Sequence, residues 1–131
     1  MFLFFKRYWA ALLWTGVIAW VCFSPPGDIP SGLFAILSKI PYFDKIVHFS
    51  IFGIYSFLLA VCRYRDDSSL LYTLVYSFLL SFCYAALTEI VQWKFITGRT
   101  GDPADLAADL IGACCGLIAA VMFIRRRKRK A

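Results

Sequence analysis

Charged residues are scarce in this chain. They make up 17% of its 131 residues, whereas apolar residues make up 61%, and the mean hydropathy is +0.71. A soluble domain of this length has a polar surface to cover and cannot accommodate so large an apolar fraction. The shortage of charge therefore argues against an ordinary soluble domain and indicates an integral membrane protein.

The chain also lacks the patterns of a disulfide framework, a zinc site or a hydrolytic triad. Its five cysteines are odd in number, include no C-x-x-C pair and lie in or beside apolar stretches, where cysteine usually acts as a small hydrophobe. His48 is the single histidine, and although Ser50 and Thr88 are nearby candidates, no Ser/His/Asp spacing is recognisable. No internal repeat is present.

Four apolar stretches approach the roughly 20 residues needed to cross a bilayer. They extend over about Tyr8–Phe23, Ile46–Cys62, Leu70–Trp93 and Ala104–Ile124. The sequence therefore predicts an all-α fold, in which residues 1–131 form a single four-helix transmembrane bundle.

Two segments outside the last three spans leave alternatives open. Between spans one and two, residues 24–43 contain four prolines, which exclude one continuous helix. The apolar residues among them favour a short interfacial helix, with an irregular loop as the alternative. Lys6 and Arg7 before the first span also fit a signal peptide, but no small-x-small cleavage site follows, so we expect an uncleaved helix.

The distribution of Lys and Arg predicts the orientation of the spans. With a cytoplasmic N-terminus, the inner side holds ten basic and two acidic residues, a net charge of +8, and the outer side holds four basic and six acidic residues, a net charge of −2. The run RRRKRK at 125–130 suits a cytoplasmic anchor against anionic lipid better than a nucleic-acid site. We expect both termini in the cytoplasm, a basic tail over 125–131, and membrane lipids rather than nucleic acid as partners.

The polar residues of the spans gather at one end. Spans two and four run inward and span three runs outward, so the start of span two, the end of span three and the start of span four meet at the outer leaflet. These segments carry nine charged or hydrogen-bonding side chains: Asp44, Lys45 and His48; Glu89 and Gln92; and Arg99, Asp102, Asp105 and Asp109. Spacings of four and three residues place Asp44 with His48, and Glu89 with Gln92, on shared helix faces.

Part of this set has a structural explanation. Asp102 followed by Pro103 is typical of a helix N-cap and a first helical position. Asp105 falls in the first turn, where the helix dipole favours negative charge. Asp44 can cap span two in the same way. The cations at this end can be interfacial anchors: Lys45, Lys94 and Arg99.

His48, Glu89 and Asp109 lie too deep in their spans for such roles. Ionisable residues at this depth usually face the bundle interior and pair with one another, so a functional site is the default hypothesis. The alternative is a buried ion pair that fixes the register of the helices.

Small residues recur at every fourth position of span four: Ala104, Ala108, Gly112, Gly116 and Ala120. Gly112 and Gly116 form a G-x-x-x-G motif, which allows another helix to approach closely. Asp105 and Asp109 lie beside this seam, so the neighbouring helix can hold its polar residues against them. That neighbour can be span two, span three or a second copy of the chain.

The order of these residues resembles the VanZ-like family of small bacterial membrane proteins over roughly residues 41–120. The elements of the resemblance are Asp44-Lys45-x-x-His48-Phe49, Glu89-x-x-Gln92, and Arg99-x-x-x-x-x-Asp105-x-x-x-Asp109-x-x-Gly112-x-x-x-Gly116. The family pattern more often has Asn where this chain has Asp109. The family takes its name from a protein linked to resistance against the glycopeptide teicoplanin, so the resemblance implies a protein of the bacterial inner membrane that acts at the cell envelope.

Three classes of function fit these residues. We rank first a protein that binds an anionic lipid or a lipid-linked cell-wall intermediate from the outer side, with a phosphate held by Lys45 and Arg99. A close second is an enzyme acting on such a lipid, either by acid–base catalysis or with a divalent cation. The third is a structural or assembly protein whose span-four seam forms a dimer face.

These hypotheses give each residue a predicted role. The catalytic candidates are His48 and Glu89. The ligand-binding candidates are Asp44, Lys45, Gln92, Arg99, Asp105 and Asp109. The candidate ligands for a divalent cation are His48, Glu89, Asp105 and Asp109. The helix-packing residues are Gly112 and Gly116.

Overall fold

The computed structural model describes most of the chain: residues 2–24, 39–64, 69–96 and 101–130. These residues form four α-helices and no β-strand, which confirms the predicted all-α fold. The predicted interfacial segment falls almost entirely outside the described residues, and so does Arg99.

The helices extend beyond the apolar stretches that predicted them. Their bounds are α1 Phe2–Phe23, α2 Phe43–Tyr64, α3 Leu70–Phe95 and α4 Pro103–Lys130. By length and composition, α2, α3 and α4 can each cross a membrane. The helix α1 is not among these three, so its crossing of the membrane stays a prediction. The helix α4 continues through the basic run to Lys130.

Helices α1 and α3 run in one direction, and α2 and α4 run in the other. Tyr84 Oη donates to the Thr15 carbonyl at 2.7 Å, and Gln92 Nε2 donates to the Cys22 carbonyl at 2.9 Å. Later residues of α1 thus pair with later residues of α3, so the two helices are parallel. Consequently the start of α2, the end of α3 and the start of α4 meet, as expected from the sequence. We call this region, formed by residues 43–48, 89–95 and 101–109, the acidic end.

The seam of α4 packs against α2, and this pair has the most extensive contact in the bundle. A Cβ added at Gly112 would overlap the backbone of Phe49, and one added at Gly116 would overlap Gly53 and Ser56. Ser56 Oγ donates to the Ala113 carbonyl across the same interface at 2.8 Å. The neighbour that the sequence left open is therefore α2 of the same chain.

The apolar core lies between α1, α2 and α3. Its fully buried residues include Ile18, Phe52 and Ala85. Trp14 Nε1 donates to the Ile51 carbonyl at 2.8 Å and ties α1 to α2. With α2 fixed against both α1 and α4, the polar residues near its start are held at a defined position in the bundle.

Candidate functional site

Lys45 joins the first turn of α2 to the start of α4. Its Nζ donates to Asp102 Oδ2 at 2.8 Å and to Asp105 Oδ1 at 2.9 Å. Asp102 Oδ1 accepts the backbone N–H of Ala104 at 2.9 Å, which confirms Asp102 as the cap of α4. The hydrogen bond from the Lys45 ammonium lowers the pKa of Asp102 below its usual range, and the hydrogen bond from the Ala104 N–H contributes a smaller effect in the same direction. The cap is thus also one half of a link between two helices.

Asp44 does not precede its helix as a cap would. It is the second residue of α2, so the interpretation as an N-cap is wrong at this position. Its carboxylate is exposed and lies in the first turn, where the helix dipole favours negative charge.

His48 and Asp109 form a buried pair between α2 and α4. His48 Nδ1 lies 2.9 Å from Asp109 Oδ1, with His48 2% exposed and Asp109 0% exposed. Because an ionised carboxylate can only accept a hydrogen bond, Nδ1 donates in this pairing, and in the neutral imidazole Nε2 then keeps its lone pair. The second oxygen, Asp109 Oδ2, is buried and has no hydrogen-bond partner among the described residues.

Glu89 completes this arrangement from α3. Its Oε2 accepts the backbone N–H of Asp102 at 3.1 Å, which anchors the start of α4 to the end of α3. Its Oε1 is buried without a hydrogen-bond partner among the described residues. Each of the two deep carboxylates therefore uses one oxygen structurally and leaves the other unpartnered.

Three helices deliver these side chains to the same depth. His48 is five residues from the start of α2, Asp109 six from the start of α4 and Glu89 six from the end of α3. At about 1.5 Å per residue, each lies roughly 7–9 Å from the end of its helix. One potential ligand atom from each of the three lies within 4.8 Å of the other two.

A second group with the same spacing consists of Asp44, His48 and Asp105. It is closer to the surface, because Asp44 is exposed. One oxygen of Asp105 is already bound by Lys45. The imidazole of His48 is common to both groups and lies between them.

The acidic end carries more negative than positive charge. Its five carboxylates are Asp44, Glu89, Asp102, Asp105 and Asp109. Among the described residues, the cation-forming side chains within salt-bridge distance of them are Lys45 and His48. The region also contains the exposed Lys94, and even with all three of these cations charged the five carboxylates leave a negative formal balance, which makes the buried cluster suited to a cation rather than to a bare anion.

One predicted site residue, Gln92, makes its described hydrogen bond away from this cluster. Gln92 donates its amide to α1, at the Cys22 carbonyl, and so links helices. Arg99 lies outside the described residues. The two hydroxyls considered as nucleophiles donate to carbonyls of their own helices: Ser50 Oγ to Ile46 and Thr88 Oγ1 to Ala85.

A cleft of about 280 Å³ opens between the end of α3 and the start of α4. Two of the residues that line it, Ile90 and Trp93, are 50% and 65% exposed on the surface of α3, whereas Glu89 and Asp102 provide carboxylates. A Cβ at Gly101 would come within 3.2 Å of Trp93 Cβ, so the glycine allows this turn to lie close against α3. The cleft thus connects the surface of the bundle to the buried carboxylate of Glu89.

Sequence reasoning missed the cleft and the double role of Asp102. A signal for Trp93 was present, because it follows Glu89 by four residues and so shares its helix face. For the contact between Glu89 and Asp102 no such signal exists, because the two residues are 13 positions apart and belong to different segments of the fold.

Fold and site together define a small helical membrane protein with a buried, carboxylate-rich cluster at one end of its bundle. The sequence model of the VanZ/LLP1 family matches residues 1–124 of this chain. The chain therefore belongs to the VanZ-like family, as its motifs indicated. No curated protein and no solved structure matches it.

Proposed function

We propose that the protein binds the phosphate-bearing headgroup of an anionic lipid, or of a lipid-linked envelope intermediate, at the outer side of the bacterial inner membrane. The cleft beside Glu89 is the observation that carries this proposal. Its exposed apolar residues, Ile90 and Trp93, are suited to a lipid chain, and its carboxylates are suited to a polar head. A lipid that enters the cleft from the bilayer can place its chain against these apolar residues and its headgroup beside the carboxylates.

The charges of the bundle support the outer side as the location. The acidic end lies at the start of α4, and the basic run lies at its other end, 28 helical residues from Pro103 to Lys130. At about 1.5 Å per residue this helix is roughly 42 Å long, enough to traverse a bilayer. Because cationic segments favour the cytoplasmic side, the acidic end faces outward.

A phosphate needs positive charge near it, and the exposed Lys94, whose Nζ lies 5.8 Å from the ring centroid of the cleft residue Trp93, can supply one such charge. Lys45 was predicted to hold it, but its ammonium is bound by Asp102 and Asp105. The carboxylates in the cleft would repel a bare phosphate. Binding beside these carboxylates is therefore favoured by a further cation that comes with the headgroup or is held next to it.

Lipid retention after reconstitution tests the proposal. The protein is incorporated into nanodiscs that contain phosphatidylglycerol, phosphatidylethanolamine, diacylglycerol and a polyprenyl phosphate, then extracted, and the lipids that remain bound are counted by native mass spectrometry. We expect selective retention of phosphate-bearing lipid, reduced about tenfold by Trp93→Ala. Trp20→Ala is the matched control, because Trp20 is also an exposed tryptophan but lies on α1.

Two results would contradict the proposal. One is equal retention of diacylglycerol and the phosphate-bearing lipids. The other is an equal loss of lipid in the Trp93 and Trp20 variants, which would mean that the cleft has no special part in binding.

A second candidate is an enzyme acting on the same lipid, and the His48–Asp109 pair favours it. A buried carboxylate that holds Nδ1 of a histidine leaves Nε2 as a potential general base. Liquid chromatography and mass spectrometry of polyprenyl phosphate incubated with the protein would detect turnover. We expect any turnover to disappear in His48→Ala. Lipid that is bound but recovered unchanged, with added divalent cations present, would favour the binding function alone.

A further inference from the structure

We propose that His48, Glu89 and Asp109 form a binding site for a first-row divalent cation such as Zn²⁺ or Mn²⁺. This inference deepens the proposed function, because the cation would supply the positive charge that a lipid phosphate requires at the acidic end. The site takes one ligand from each of the three helices that can cross a membrane.

The separation of the three groups suits a shared ion. Their potential ligand atoms lie within 4.8 Å of one another. Ligands bound about 2.0–2.6 Å from one ion are at most roughly 4–5 Å apart, so the three groups are close enough to share an ion. The similar depth of the three residues in their helices keeps that geometry independent of loops.

The unpartnered oxygens are independent evidence for a ligand. Asp109 Oδ2 and Glu89 Oε1 are buried, in side chains that are at least nine-tenths buried, and neither has a hydrogen-bond partner among the described residues. Leaving buried polar atoms without partners destabilises the folded protein, and more so when the atoms are charged. A cation held between them would satisfy both oxygens at once.

The local charge leads to the same conclusion. Lys45 is bound by Asp102 and Asp105, and it forms no described salt bridge with Glu89 or Asp109. Two deep carboxylates therefore share one imidazole, in a region where ionised groups are costly unless they are paired. A divalent cation compensates both charges.

The kinds of ligand define the class of ion. One imidazole nitrogen with two carboxylate oxygens suits Zn²⁺ or Mn²⁺, whereas Mg²⁺ and Ca²⁺ favour sites made wholly of oxygen. Three protein ligands leave at least one coordination position for an oxygen from water or phosphate. The Asp44–His48–Asp105 group is the weaker candidate, because Lys45 already binds one oxygen of Asp105.

Metal content and affinity test the site directly. Purified protein is treated with a chelator, dialysed against Zn²⁺ or Mn²⁺ at micromolar concentration, and analysed by inductively coupled plasma mass spectrometry and calorimetry. We expect about one ion per chain, with affinity reduced at least tenfold in Asp109→Asn, Glu89→Gln and His48→Ala. Asp44→Asn is the matched control, since it removes an exposed carboxylate at the same end and should keep the ion.

Asp109→Asn guards against loss of the fold, because an amide can still accept the hydrogen bond from His48 Nδ1. Its helix content and thermal unfolding are measured alongside its metal affinity. A folded Asp109→Asn protein with unchanged affinity would overturn the inference. Loss of the ion in Asp44→Asn alone would also overturn it. Equal retention of the ion by all four variants would do the same, because it would indicate an adventitious ion only.

Lipid retention measured with and without chelator separates this inference from the proposed function. Phosphate-bearing lipid that is retained by metal-free protein and still depends on Trp93 would support lipid binding and overturn the metal site. One ion per chain with no selective lipid retention would support the metal site and contradict the lipid function. We expect both to hold, with the chelator reducing lipid retention about tenfold.

Discussion

Replacing Gly112 by alanine tests whether the close approach of α2 and α4 builds the site. The added Cβ would lie 2.8 Å from the Phe49 carbonyl carbon and 2.9 Å from Phe49 Cα, and would overlap the carbonyl oxygen. Carbon atoms in contact are usually about 3.5–4.0 Å apart, so the helices must separate locally by roughly 1 Å. The obstacle is backbone, which cannot rotate out of the way as a side chain could.

The separation should cost stability and disturb the polar contacts nearby. Overpacking of this kind costs about 1–3 kcal/mol. The Ser56–Ala113 hydrogen bond, now 2.8 Å, would lengthen beyond bonding distance, at a further cost of about 1 kcal/mol. Alanine recovers about 0.5–1 kcal/mol of helix propensity, so we expect a net loss of roughly 1–3 kcal/mol. The His48–Asp109 contact, one turn earlier in α4, should weaken with it.

Other glycines supply a graded series of controls. Gly16 has open space where a Cβ would be, so Gly16→Ala should be neutral or slightly stabilising. A Cβ at Gly53 would lie 3.1 Å from the Gly112 carbonyl oxygen, so Gly53→Ala should have an intermediate effect. Gly116→Ala should match Gly112→Ala, because its Cβ would also overlap α2.

The series can be measured by sodium dodecyl sulfate titration in mild detergent, with helix content as the signal. If Gly112→Ala and Gly116→Ala are as stable as Gly16→Ala, the close packing of α2 and α4 is wrong. Metal and lipid binding by the Gly112 variant then show whether the site depends on this packing.

Three further predictions concern the polar links, measured by the same titration. Lys45→Met should destabilise the protein by about 1–3 kcal/mol, because it leaves the buried Asp105 without its cation, and Asp105→Asn in the same chain should restore most of the loss. Because the pKa of Asp102 is lowered in the folded protein, its ion pair contributes stability above the unfolded pKa of about 3.9. This contribution is lost as the pH falls through the lower folded pKa. The difference in unfolding free energy between wild type and Asp102→Asn should therefore be constant near neutral pH and shrink in acid. Gln92→Leu should destabilise the protein by about 0.5–1.5 kcal/mol, because it removes the hydrogen bond to the Cys22 carbonyl, and should leave metal and lipid binding unchanged. A loss of either kind of binding would mean that Gln92 is part of the site.

The sequence was sufficient to predict the helices and the meeting of their polar ends. Apolar length located α2, α3 and α4, and their alternating direction brought Lys45, His48, Glu89 and Asp109 to one end. The ends of the helices were less certain, because hydropathy marks where an apolar stretch stops rather than where the backbone leaves the helix. Arginine and lysine are good helix formers, and cations suit the last turn, so α4 continues to Lys130.

The partners of individual side chains were harder to predict. Glu89 and Gln92 share a helix face in outline, but three residues advance a helix by about 300°, which leaves them about 60° apart. That angle is enough for Glu89 to contact the start of α4 while Gln92 contacts α1. The neighbour of the α4 seam was also undecided, although Gly53 and Ser56 on α2 offered a small-residue surface complementary to it.

The charge of Asp109 is the feature of this chain that favours the inferred cation. The resemblance noted in the sequence implies Asn at this position in the family, and an amide oxygen can accept the hydrogen bond from His48 as the carboxylate does. Asparagine is uncharged, however, so it would bring the cluster closer to charge balance without a cation. With Asp109, one buried oxygen is bonded to His48, and the other has no hydrogen-bond partner in the part of the chain that the structure describes. The hydrogen bond therefore accounts for a polar residue at this position, and the inferred cation accounts for its charge.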